Sequence, residues 1–197
     1  DWSYVMLGAN RDRASGVETY VIPQATEGWT RVGTCEWMIN SAGKLTVRPL
    51  GNGASGKMDY NFGGTLGGAP WSSQSESITS AVFEPGVSTN WTAYMFSGCE
   101  NLTTVDLSEL DTSRVTDMKS MFASCSSLTS LDVTPLDTSK VTDMSRMFAN
   151  CTNLASIDFS GFNTAQVKRM ESMFVGCEKL EALDLSSFDT SNVTTMY

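Results

Sequence analysis

Residues 128–151 read "LTSLDVTPLDTSKVTDMSRMFANC", and the fold is decided by what stands one period away on either side. The pair Met147-Phe148 near the end of this stretch recurs as Met95-Phe96, Met121-Phe122 and Met173-Phe174, always 26 residues apart. Cysteine keeps the same spacing at Cys99, Cys125, Cys151 and Cys177, and leucine at Leu102, Leu128, Leu154 and Leu180. Val115, Val141, Val167 and Val193, followed by Met118, Met144, Met170 and Met196, close each unit. A period of this length marks stacked copies of one structural unit, each too small to bury its apolar face alone.

Two periodicities share the unit. In "LTSLDV" the apolar Leu131 and Val133 flank Asp132, the alternation of a short strand with one face in water. In "MFASCSSL" the residues Met121, Cys125 and Leu128 are spaced by four and three, which predicts a short helical turn. Between them Asp137, Thr138 and Ser139 carry side chains that bond nearby amides and turn the chain. The expected fold class is therefore an α/β repeat: a solenoid with one parallel strand and one short helical turn per 26-residue unit. Upstream, the stretches 34–39 and 44–49 joined by "NSAG" predict a β-hairpin, and "ETYVIP" a strand. The division expected is an N-terminal segment over 1–30 without an assigned role, a β-rich cap over 31–77, and repeats over 78–197. The first repeat is irregular and about four are regular. The chain stops before the place of another Met-Phe block, so the parent protein is expected to continue.

The repeated "MF…C" block, "VTDM" at 115–118 and 141–144, and the "LTSLDVTPLDTSKVTDM" phrase resemble the repeat of the BspA-like bacterial surface proteins, a divergent branch of the leucine-rich-repeat class. The resemblance covers roughly 78–197. "GTCEWMINSAGKLTVRP" and "ITSAVFEPGV" resemble the cap region that precedes such repeats. It implies a leucine-rich-repeat-like solenoid, a location outside the cell or on its surface, and a host or neighbouring-cell surface protein or glycan as partner.

Composition narrows the rest. The net charge of −9 argues against nucleic acid as a partner, and no run of eighteen apolar residues suggests membrane insertion. Oligomeric state is not readable. The chain contains no histidine, which removes Ser-His-Asp and Cys-His catalysis and the HExxH zinc site. No Cys-x-x-Cys pair exists either, so no metal or other cofactor is expected and the cysteines read as small apolar fillers with free thiols. "GNGASGK" at 51–57 lacks the spacing of a phosphate loop and reads as a surface loop. In "YNFGGTLGGAPW" the aromatics Tyr60, Phe62 and Trp71 serve packing or stack on sugars.

The candidate binding residues form an exposed ladder. Asp106, Asp132, Asp158 and Asp184 fall between inward-facing residues of successive strands, followed by the hydroxyl column Ser108, Thr134, Ser160 and Ser186. Strands about 4.8 Å apart bring these carboxylates close enough to repel by roughly 0.8 kcal/mol per pair in water. Either they accept hydrogen bonds from adjacent hydroxyls and amides, or they form a polar binding stripe. Glycosidic chemistry needs two carboxyls of split pKa, which a periodic ladder does not supply. The expectation is a non-enzymatic adhesion or recognition module. A structural spacer and a carbohydrate-active parallel β-helix are the alternatives.

Overall fold

The structure is a computed structural model and describes residues 9–11, 18–20, 26–51, 53–59 and 68–197. Among the described residues eleven strands follow in chain order. The first two, β1 (Ala9–Arg11) and β2 (Glu18–Tyr20), pair antiparallel. Upstream of the repeats, β3 (Thr30–Val32), β4 (Cys35–Ile39) and β5 (Lys44–Pro49) form an antiparallel meander. The predicted hairpin is β4–β5, and Gly43 at φ 78° makes its turn, where a Cβ would lie 2.4 Å from the Ser77 carbonyl oxygen. Next come β6 (Gly56–Met58), β7 (Ser80–Phe83), β8 (Val87–Thr89), β9 (Thr104–Asp106), β10 (Ser130–Asp132) and β11 (Ser156–Asp158). One five-stranded mixed sheet runs β3-β4-β5-β7-β9, with β7 parallel to both β5 and β9. The strand pairs β6–β8 and β10–β11 stand apart from it. Part of "GNGASGK" is thus strand β6 rather than loop, paired in parallel with β8.

The expected fold class is overturned. Among the described residues the one helical element is a 3₁₀ helix at Ser72–Ser77, outside the regular repeats, and the sheets are mixed rather than a continuous parallel one. Strands in the repeats are three residues long, and 182–184 in the last unit form none. Among the described residues the chain is strands and turns with that single 3₁₀ helix, and neither the α/β assignment nor the solenoid stands.

Backbone conformation explains the missing helix. Tyr94, Ser120, Arg146 and Ser172 have φ between 52° and 59°, and Gly98, Ser124, Asn150 and Gly176, four residues later, have φ of 60° to 76°. A left-handed residue at every fourth position cannot belong to a right-handed helix. The chain instead makes consecutive turns whose amides alternate in direction. Met121, Ala123 and Cys125 donate within their own unit, to the carbonyls of Met118, Ser120 and Phe122. Phe122 and Ser124 donate to the next unit, to Met147 and Ala149 at 2.9 and 2.7 Å. The same alternation recurs at 95–99 and 147–151. A helix would consume every amide internally, whereas here half of them tie one repeat to its neighbour.

Side chains stack in the same register. Phe96, Phe122, Phe148 and Phe174 lie face over face at centroid distances of 5.5, 5.8 and 5.8 Å with planes within 10° of parallel. Above each Phe carbonyl sits the thiol of the next repeat: Cys125, Cys151 and Cys177 donate to the carbonyls of Phe96, Phe122 and Phe148, each at 3.1 Å. All five cysteines are free, and the column occupies the interior as a small apolar filler that also satisfies a second carbonyl lone pair. Burial pushes the thiols of Cys35, Cys99 and Cys151 up to about 12, and raises those of Cys125 and Cys177 as well. Because the thiolate is the nucleophile, a thiol reagent at neutral pH is expected to leave four cysteines unmodified in the native chain, with half-buried Cys177 reacting first. Mass spectrometry of the labelled chain checks this; fast modification of Cys125 contradicts it.

Candidate functional site

The four predicted aspartates are exposed, and Asp132 stands opposite Asp158 in the β10–β11 register. Each closes a turn, Asp106, Asp132 and Asp158 at the ends of β9, β10 and β11 and Asp184 in a unit without a strand. Asp106 accepts the Ser108 amide at 3.0 Å and hydroxyl at 2.7 Å, and Asp132 does the same with Thr134 at 3.0 and 2.7 Å. Asp158 and Asp184 accept the amides of Ser160 and Ser186 at 2.8 and 2.9 Å. The Ser108 hydroxyl, the Ser160 amide and the Ser186 hydroxyl are the chief causes that hold the carboxyls of Asp106, Asp158 and Asp184 below the usual range. One oxygen of each carboxylate thus serves the fold as an Asx turn, and the other faces water.

A second acidic column does the same work. Asp111, Asp137 and Asp189 accept the amides of Ser113, Ser139 and Ser191, each at 2.9 Å. The threonine that follows is buried and clamps two repeats together. Thr138 donates to the Asn163 carbonyl at 3.1 Å and accepts the Asn163 amide at 2.8 Å; Thr112 does so with Asp137, and Thr164 with Asp189. The "DTS" triplet is therefore a turn residue, an inter-repeat clamp and an amide donor in succession.

A third polar column was not singled out from the sequence. Asp117, Asp143, Arg169 and Thr195 form successive parallel bridges where "VTDM" gives way to "VKRM" and "VTTM". Burial raises the Asp117 carboxyl, with Asp143 adding to the rise, while Arg169 faces Asp143 at 3.5 Å and binds Glu171 through Nε at 2.9 Å. Thr195 donates to the other Glu171 oxygen at 2.8 Å. Chiefly through Arg169, the Glu171 carboxyl drops from 4.5 to about 2. A depressed carboxyl contributes stability that is present above its unfolded pKa and lost as pH falls through the folded one. Stability of the last two repeats is thus expected to decline between about pH 4.5 and 2 partly through Glu171. Glu171→Gln flattens that part of the pH profile of thermal unfolding; an unchanged acid limb contradicts it.

The aromatic loop divides. Trp71 is fully buried, donates from Nε1 to the Met95 carbonyl at 2.9 Å and meets Trp37 edge-on at 5.8 Å, so it packs the core and has no face for a sugar. Tyr60 and Phe62 lie outside the described residues. Among the described residues no three His, Cys, Asp or Glu side chains are grouped to hold a metal ion, and no helix is long and apolar enough to cross a membrane.

Comparison with known proteins adds three findings. No curated protein matches the chain. A solved structure of a leucine-rich cell surface protein from Faecalibacterium prausnitzii A2-165 is similar at 16% identity over 87% of this chain, with a TM-score of 0.30. The chain spans about half of that protein, 54% of its length. A family described as Mycoplasma protein of unknown function, DUF285, matches residues 89–197, which is the whole regular repeat region and more than half of the sequence. The chain belongs to the DUF285 family.

Proposed function

We propose that this chain is a non-enzymatic recognition module of a secreted or cell-surface bacterial protein, with a protein or glycan of a host or neighbouring cell as its partner. The observation that carries the reading is the separation of frame from display. The frame is backbone ladder, buried threonines and the Phe, Met and Cys columns; exposed positions change between repeats without disturbing it. At one such column Arg114, Lys140, Gln166 and Asn192 succeed each other. Both Lys140 and Asn192 still reach back to a carbonyl of the preceding repeat, Ser113 at 2.9 Å and Ala165 at 2.8 Å. The resemblance to BspA-like surface proteins supports the same role. Catalysis is disfavoured because the outer aspartates share one turn geometry, whereas acid and base partners need environments that split their pKa values.

A structural spacer is the second reading, favoured by the outer aspartates, which each commit an oxygen to the fold. A glycan and matrix-protein array probed with the native chain separates the two. Recognition predicts saturable binding to a subset of targets, and no binding to any of them overturns it in favour of the spacer. Asp132→Asn with Asp158→Asn keeps the Asx acceptor but removes charge; equal signals then dismiss the outer ladder as the contact surface.

A further inference from the structure

Charge is distributed unevenly over the repeats. Seven lysines and arginines follow Ile78, and six of them, Arg114, Lys119, Lys140, Arg146, Lys168 and Arg169, fall in the same segment of three successive units, 114–120, 140–146 and 166–172. Outside those segments the repeats carry Lys179 alone against twelve acidic residues. Stacking brings the segments together: Thr142 donates to the Thr116 carbonyl, Lys168 to that of Thr142, and Asp117, Asp143 and Arg169 bridge in series. Val115, Met118 and their equivalents turn inward, so Arg114, Lys140, Arg146 and Lys168 stand exposed at the surface.

The carboxylates of the same segments are occupied. Asp117 accepts the Lys119 amide, Asp143 accepts the Ser145 amide and hydroxyl and faces Arg169, and Glu171 is held by Arg169 and Thr195. The lateral backbone bonds of the fold persist where the basic residues are replaced. The fourth unit places Asn192, Thr194, Thr195 and Tyr197 at their positions and keeps the same lateral bonds, Thr194 to Lys168 and Met170 to Thr195.

We propose that this stripe binds an anionic polysaccharide bearing sulfate or carboxylate groups, laid along the stack. The inference deepens the recognition role above and rests on it. Arg114 and Lys140 stand one repeat apart, with Arg146 and Lys168 in neighbouring columns, and this local concentration of exposed cations on a chain of net charge −9 offers the sulfate or carboxylate groups of a polymer short-range ion pairs. A protein partner would ask for apolar anchors at the centre, yet the valines and methionines here are buried. Single-stranded nucleic acid would ask for aromatic platforms, which these three segments lack.

The test compares the native chain with a variant carrying Arg114→Asn, Lys140→Asn, Arg146→Ser and Lys168→Thr. Each introduced residue already stands at that column elsewhere in the chain, as Asn192, Ser120 and Thr194, so folding is retained; thermal unfolding verifies it. Heparin, polygalacturonate, neutral dextran and oligo-dT are titrated against both at rising salt. The native chain binds heparin or polygalacturonate with salt-sensitive affinity and ignores dextran, and the variant binds at least about tenfold more weakly. Asp132→Asn with Asp158→Asn leaves this binding intact. No binding of the native chain to either anionic polysaccharide, or equal binding by the variant, overturns the stripe. Tighter binding to oligo-dT than to both overturns the polysaccharide assignment. Saturable binding to another array target, together with no binding to either anionic polysaccharide, overturns the stripe while leaving the recognition role standing.

Discussion

Replacing Phe148 by alanine lowers the unfolding free energy by about 3–5 kcal/mol. The ring is fully buried between Phe122 and Phe174, each 5.8 Å away and nearly parallel, and meets Phe159 edge-on at the same distance. Its flanking backbone is fixed on both sides, by the Phe148 amide donating to Met173 and the Phe122 amide donating to Met147. Neighbours held this way cannot close over the missing ring, so transfer and cavity costs add. Phe174→Ala is expected to cost less, because Phe174 is only partly buried. Urea unfolding of both variants gives the comparison, and a loss below about 1 kcal/mol for Phe148→Ala contradicts the stack.

Thr138→Val is the second large effect, about 2–4 kcal/mol at nearly constant volume. The hydroxyl gives a proton to the Asn163 carbonyl and takes one from its amide, at 3.1 and 2.8 Å, in a residue 2% exposed. Valine fills the space but leaves both backbone groups without partners. Thr138→Ser keeps both bonds and loses only a methyl group, so it is expected to retain most of the stability. Amide exchange reports the mechanism: the Asn163 amide loses protection in the valine variant and keeps it in the serine variant. Equal stability of valine and native chains contradicts the clamp.

The period, the buried columns and the exposure of Asp106, Asp132, Asp158 and Asp184 were readable because repetition averages over local ambiguity. Six apolar columns at one spacing leave few ways to hide their side chains. The helical turn was misread because spacings of four and three at Met121, Cys125 and Leu128 arise equally from consecutive turns. The missed signal stood in one column: Gly98, Ser124, Asn150 and Gly176, where glycine and asparagine favour left-handed backbone. The uneven charge was visible in composition, but its gathering into one stripe depends on which segments bridge laterally. No local pattern in "VTDM" states that Asp117, Asp143 and Arg169 stand in one ladder. Loss of the strand in the last unit accompanies Ala182 where the other units have threonine or serine. Nothing in the structure explains the loss beyond that.

Scalar couplings across hydrogen bonds, measured by NMR on labelled protein, test the lateral pairing of the repeats most directly. The Phe122 amide nitrogen is expected to couple to the Met147 carbonyl carbon, and the Ser124 nitrogen to that of Ala149. Coupling of the Phe122 nitrogen to the Met118 carbonyl carbon instead, the signature of a helix closed within one repeat, contradicts the ladder and the stacking built on it.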